Sequence, residues 1–219
     1  MPTRLTQLPK PDAEQYETER KLFLVPNFFL TPDTPLDGLD LLESYWSEIR
    51  DHVENLERSL GKVSHVYHEV VYSDGDEGML ALQEMNPKGS SFIHAMCQSD
   101  AKLEATEDRA LLEESSDWRR CLSAGLVSEK VLTMAMEGYQ QATSGRYEHI
   151  AKRIDETLQP GESSVLFIGE DHRVQFPSDV KIFYVAPRSL DALKRWITDQ
   201  MRAPAPPPPE QSEDAGPQE

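Results

Sequence analysis

Apolar positions along the chain switch between two periods, and the switches divide it into elements. Residues Lys21–Leu30 (KLFLVPNFFL) form an apolar, aromatic run that predicts a strand. Pro26 removes a ladder donor, so the strand is expected at an edge, bulged or broken there. Thr34-Pro35 then opens the most regular pattern in the chain, a helix to about residue 60. Its apolar residues Leu39, Leu42, Trp46, Ile49, Val53, Leu56 and Leu60 follow a three-four alternation, and Gly61 ends it. That seam has two readings. It packs on the chain's own sheet or helices, or it pairs with a second copy in a homodimer.

Val63–Tyr72 (VSHVYHEVVY) alternates as a strand, with Val66, His68, Val70 and Tyr72 on one face and His65, Tyr67 and Glu69 on the other. A short helix capped by Ser73 follows, with Met79, Leu80, Leu82 and Met85, and ends by Pro87. Ser91–Cys97 is short and reads slightly better as a strand than as a helix. Thr106 with Glu107 and Asp108 opens a helix carrying Leu111, Leu112, Trp118 and Leu122. A long helix runs from Ser128 to about Leu158, with Gly145 a place to kink or split.

After Pro160-Gly161, Val165–Ile168 and Val180–Ala186 are apolar enough to be strands buried on both faces. The segment between them is shorter than the roughly dozen residues a helical crossover needs, which favours an antiparallel pair. Val174–Phe176 is a candidate third strand between turns at Gly169–His172 and Pro177–Asp179. A final helix begins at Ser189 and carries Leu190, Leu193, Trp196 and Ile197. The expected fold is α/β or α+β. It is one domain over residues 21–202 with a mixed sheet of about 4–6 strands, flanked by several helices of which two are long.

Composition adds the two ends. Residues 1–20 lack an apolar period and read as a flexible tail. Residues 203–219 (APAPPPPEQSEDAGPQE) carry four acids, no base and no large apolar side chain, and read as a disordered proline-rich tail. The 219-residue chain has a formal charge of −17, so most of the acidic excess lies outside that tail. Such a charge argues against direct binding of nucleic acid and favours basic or apolar partners. No run approaches the ~18 apolar residues of a membrane span, and the first thirty residues lack a basic start and apolar core. A cytoplasmic location is the expectation. Two cysteines, Cys97 and Cys121, do not make a disulfide framework.

Candidate chemistry is sparse. GxSxG, Walker, HExxH, CxxC and GxGxxG patterns are all missing. His65 and His68 are three apart, but on a strand they face opposite ways, so they make no metal pair. His68 among apolar neighbours reads as a core histidine. His65 and Glu69 share a face and form a candidate base with its orienting carboxylate. His94 and Cys97 would share a face only on a helix, and two ligands alone make no zinc site.

The most suggestive cluster is Glu170, Asp171 and His172 after Gly169, directly beyond a buried strand, where α/β proteins often bind ligands. Those residues suit acid–base work or a hard cation, and Arg173 and Asp179 complete the candidate set. The same four residues also make a good turn. The leading functional reading is a non-catalytic interaction or regulatory protein. The alternatives are a metal-assisted hydrolase or small-molecule enzyme built on residues 169–172, and an acidic partner of basic nucleic-acid-binding or ribosomal proteins. No cofactor is implied by any motif.

Overall fold

The computed structural model describes residues 13–29 and 34–202. The sequence readings for 1–12 and 203–219 lie outside the described residues. β4 (Ser163–Ile168) is buried at all six positions, and so is β1 (Arg20–Pro26) at all seven. Near-continuous burial is the signature of parallel strands covered on both faces. The remaining strands are β2 (Val63–His68), β3 (Lys102–Leu103) and β5 (Val180–Tyr184). The order is β3-β2-β4-β1-β5 and every neighbouring pair is parallel.

The helices are α1 (Leu36–Leu60), α2 (Gly75–Met85), α3 (Pro87–Gln98), α4 (Arg109–Ser123), α5 (Glu129–Thr157) and α6 (Arg188–Arg202). α1, α3 and α6 contribute to the core on one sheet face, around Phe23, Val25, Val66 and Phe167. On the other face, Ile150, Ile154 and Leu158 from α5 and the residue after it pack on Leu22, Leu24, Tyr67, Leu166 and Ile168. The fold is thus α/β with two long helices, as the periodicities imply.

The sheet corrects the antiparallel and mixed expectations. β1 stands between β4 and β5, so these strands are not neighbours. Residues 169–179 connect them without a helix. An extended chain covers about 3.3 Å per residue against 1.5 Å for a helix, so a short segment makes the return trip. Val174 is buried in the α5-side core with Phe176 packed against it, so this connection covers the sheet as a helix would. It is not a strand. Nor is Pro26 at an edge: it closes a central strand, where its missing donor falls at the end of the ladder.

The α1 seam is not free for a second copy. Leu42, Trp46, Ile49 and Val53 are buried in the chain's own core, with Leu56 and Leu60 packed beside them. At Gly38 a Cβ would stand 2.3 Å from the Trp196 ring, which lets α6 close over the helix start. The homodimer through Leu39–Leu60 is therefore overturned by intramolecular packing.

Residues 91–97 are helical. Asn86 caps α3 by accepting from the Gly89 amide at 3.0 Å, and Pro87 occupies the first turn. Read only as a stop for α2, Asn86-Pro87 also starts α3. α4 is capped by Asp108, not Thr106. The Thr106 hydroxyl is buried, accepting from the His68 amide at 3.1 Å. α5 runs unbroken through Gly145. Leu111 of α4 lies over Gly145 and Trp118 lies over Gly138. Two side chains seven apart meet two glycines seven apart, which draws the antiparallel helices together.

Candidate functional site

The connections out of adjacent strands leave on opposite faces around β4. β1 and β2 lead to helices that pack on one face, whereas β4 leads into the segment that packs on the other. Such a reversal opens a crevice at the carboxyl edge of a parallel sheet, the usual place for a ligand. The ends of β1, β2 and β4 bring Asn27, Glu69 and Gly169 there.

These groups form a chain of hydrogen bonds. Asn27 Nδ2 donates to Glu69 Oε1 at 2.9 Å, and Asn86 Nδ2 donates to Asn27 Oδ1 at 3.1 Å. Burial pushes the Glu69 carboxyl above its ordinary range, against the bonds from Asn27 and the Gly169 amide that pull it down. Beside it, His68 is fully buried between Phe29 and Phe167. Its Nδ1 bonds the Glu69 carbonyl, and its Nε2 has no hydrogen-bond partner. Burial brings its pKa down to about 4, so the ring is neutral near pH 7. The β-branched Val70 follows in the left-handed region at φ 69°, a strained conformation. A buried pair sits alongside: Arg146 of α5 binds Glu107 through both Nε, at 3.0 Å, and Nη2.

The cluster at 170–172 disperses. Gly169–His172 is a turn, closed by the His172 amide on the Gly169 carbonyl at 3.2 Å. Glu170 leaves toward β5 and α6, accepting from the Tyr184 hydroxyl at 2.7 Å and Lys194 at 3.0 Å. Partial burial raises its carboxyl, and Lys194 and Tyr184 outweigh this to hold it below its usual range. His172 turns onto Phe176, its Nδ1 accepting from the Val174 amide at 3.3 Å, and burial lowers its pKa. Asp171 alone turns toward α5. A Cβ on Gly169 would lie 3.1 Å from Asp171 Oδ1 and 3.8 Å from Glu69 Oε2, so these two carboxylates flank one backbone position.

His65 is elsewhere. Its Nδ1 meets Glu104 at 2.9 Å and its Nε2 meets Glu162 at 3.2 Å, with the ring stacked on Tyr67. Glu69 bonds Asn27, so it does not orient His65. Asp179 pairs with Arg20 at 2.7 Å, near Asp155 and the end of α5. Among the described residues, no three His, Cys, Asp or Glu side chains are grouped to hold a metal ion.

Above Asp171 lies an open cleft. A cleft of about 860 Å³ is bounded by α5, by Leu122 of α4 and by residues 171–175. Its existence follows from the length of α5. At 29 residues the helix is about 43 Å long, roughly twice a six-residue strand. Its lower end packs beside the start of β1, where Arg20 binds Asp155, so its upper half overhangs the sheet. The stripe that covers the sheet at Ile150 and Ile154 continues upward at helical spacing through Tyr147, Thr143, Tyr139, Met136 and Leu132. Leu132 and Met136 are exposed, and so are Val127, Val131 and Met134.

Sequence reasoning named Glu69 and Asp171 as site candidates, Glu69 in another role, and did not name Asn27, Asn86, Arg146, Glu107 or Tyr147 among them. The available signal was the period of α5, whose apolar stripe is longer than any strand it can cover. No protein-family model, no curated protein and no solved structure matches this chain.

Proposed function

We propose that this chain is a non-catalytic interaction or regulatory protein whose docking surface is the overhanging α4–α5 hairpin. The observation that carries this reading is the continuation of the core-facing stripe of α5 beyond the sheet edge, where Leu132 and Met136 face no strand. Leaving Val127, Val131, Leu132, Met134 and Met136 exposed in one region forgoes hydrophobic stabilisation that a partner would supply. The hairpin is also nearly neutral. Residues 109–157 hold eight acids and seven bases in a chain of charge −17. An apolar helical partner therefore fits better than a basic one, and a second copy of this chain meets no strong repulsion here.

Sedimentation or light scattering of the full chain tests this directly. A dimer that survives moderate salt is expected, because the contact is apolar. Leu132→Glu is expected to return it to a monomer without unfolding it, since that side chain is exposed. A strict monomer at every concentration overturns the self-association. The metal-assisted hydrolase has less support, because Glu170, Asp171 and His172 point three ways. No helix among the described residues is long and apolar enough to cross a membrane.

A further inference from the structure

The cleft at the base of the hairpin has unused charges of both signs. Asp171 and Arg173 line it from one connecting segment, and Glu148 lines it from α5. Among the described residues none of these three side chains makes an ion pair, and Asp171 and Arg173 do not neutralise each other. Other arginines have found partners: Arg20 binds Asp155 and Asp179, Arg146 binds Glu107, Arg153 binds Glu104 and Glu156, and Arg50 and Arg119 lie over aromatic rings. The wall opposite is aromatic and apolar, with Tyr139, Tyr147 and Met136. Thr143 also lines it, and its Oγ1 is buried with no hydrogen-bond partner. The volume of about 860 Å³ lies in the range of small-molecule sites, at the sheet edge where such sites concentrate.

We propose that this cleft binds a free α-amino acid with a large apolar or aromatic side chain. An opposed pair of unneutralised charges calls for a ligand carrying the complementary pair. Asp171, with Glu148 near, takes the ammonium; Arg173 takes the carboxylate, the planar acceptor that its guanidinium matches bidentately. The apolar side chain lies along α5 on Tyr147, Tyr139 and Met136, and its burial supplies most of the binding energy. Met136 is shared with the docking stripe, but Leu132 lies outside the cleft lining, so Leu132→Glu separates the two readings.

The test is calorimetric titration of the full chain with L-phenylalanine, L-tryptophan and L-leucine, and with two half-ligands. Phenethylamine keeps the ammonium; 3-phenylpropionate keeps the carboxylate. The intact amino acids are expected to bind more tightly than either half. Arg173→Ala is expected to weaken L-phenylalanine and 3-phenylpropionate by about tenfold and leave phenethylamine unchanged. Asp171→Asn is expected to do the reverse. Both side chains are exposed, so both variants fold. Absence of binding by all three amino acids at millimolar concentration overturns the proposal. So does an equal effect of each variant on the two half-ligands, which would mean general damage to the cleft and no charge recognition.

Discussion

Replacing Arg146 by Met is the most informative single perturbation of the hairpin's base. Arg146 holds Glu107 through Nε and Nη2, and its Nη1 reaches Ser115 Oγ at 3.4 Å. The Glu107 side chain is fully buried, and the Arg146 side chain is 8% exposed. The pair joins α5 to the chain just before α4 and, through the Val70 amide on Glu107 at 3.4 Å, to the end of β2. Burying two ions costs nearly what their attraction returns, so the pair itself adds little net stability. Removing one partner is different, because a buried carboxylate is left without its cation. The expected loss for Arg146→Met is about 3–5 kcal/mol. Urea unfolding at neutral pH measures it. Arg146→Met with Glu107→Leu removes both ions, and is expected to recover most of that loss. A single variant that loses less than about 1 kcal/mol, the level of an exposed pair, would refute the reasoning.

Three further outcomes follow from the packing and the buried groups. His68 has a folded pKa of about 4 against an ordinary 6.5, so the unfolded chain takes up that proton first. Its contribution is complete above the ordinary value and is lost as pH falls toward 4, amounting to about 3 kcal/mol. Unfolding curves of wild type and His68→Phe across that interval measure it, and parallel pH profiles would contradict it. Glu69 has the opposite sign, since its folded pKa is raised and its contribution fades as pH rises through that raised value. Glu69→Gln is therefore expected to gain stability relative to wild type from acid to neutral pH, and a widening deficit would count against it. At Gly138 a Cβ would stand 2.4 Å from the Trp118 ring. Gly138→Ala is expected to cost about 1–3 kcal/mol by overpacking despite better helix propensity, whereas Gly125→Ala, with no atom within 4 Å, strains only its own left-handed turn. Thermal melts of the two variants compare these costs.

Periodicity made most of the fold legible. α1, α5 and the buried runs of β1 and β4 all declared themselves in the pattern of apolar residues. What failed did so for local reasons. Asn86-Pro87 serves one helix as a stop and the next as a cap, and a one-sided reading turned α3 into a strand. The antiparallel expectation assumed that a parallel return needs a helix, and Val174 and Phe176 show an extended segment doing that work. Strand order, which places β1 between β4 and β5, depends on packing between residues far apart in the chain. For the site, Asp171 was visible as an acid beyond a strand end, and Glu69 only as a partner for His65 on a strand face. Their convergence at Gly169 was not, because it requires β2 and β4 to be neighbours. Asn27 and Asn86 are ordinary turn residues until the fold joins them to Glu69.

The central claim is that the uncovered upper face of α5 is the working surface of the molecule. Methyl NMR on methionine-labelled protein tests it most directly, because the methionines sample every environment. Met134 and Met136 are exposed on the hairpin, Met79 and Met96 are buried in the core, and Met201 is exposed on α6. The Met136 signal is expected to shift with protein concentration while Met79, Met96 and Met201 hold still. A Met136 signal that stays fixed, or a Met201 signal that moves as far, would contradict it.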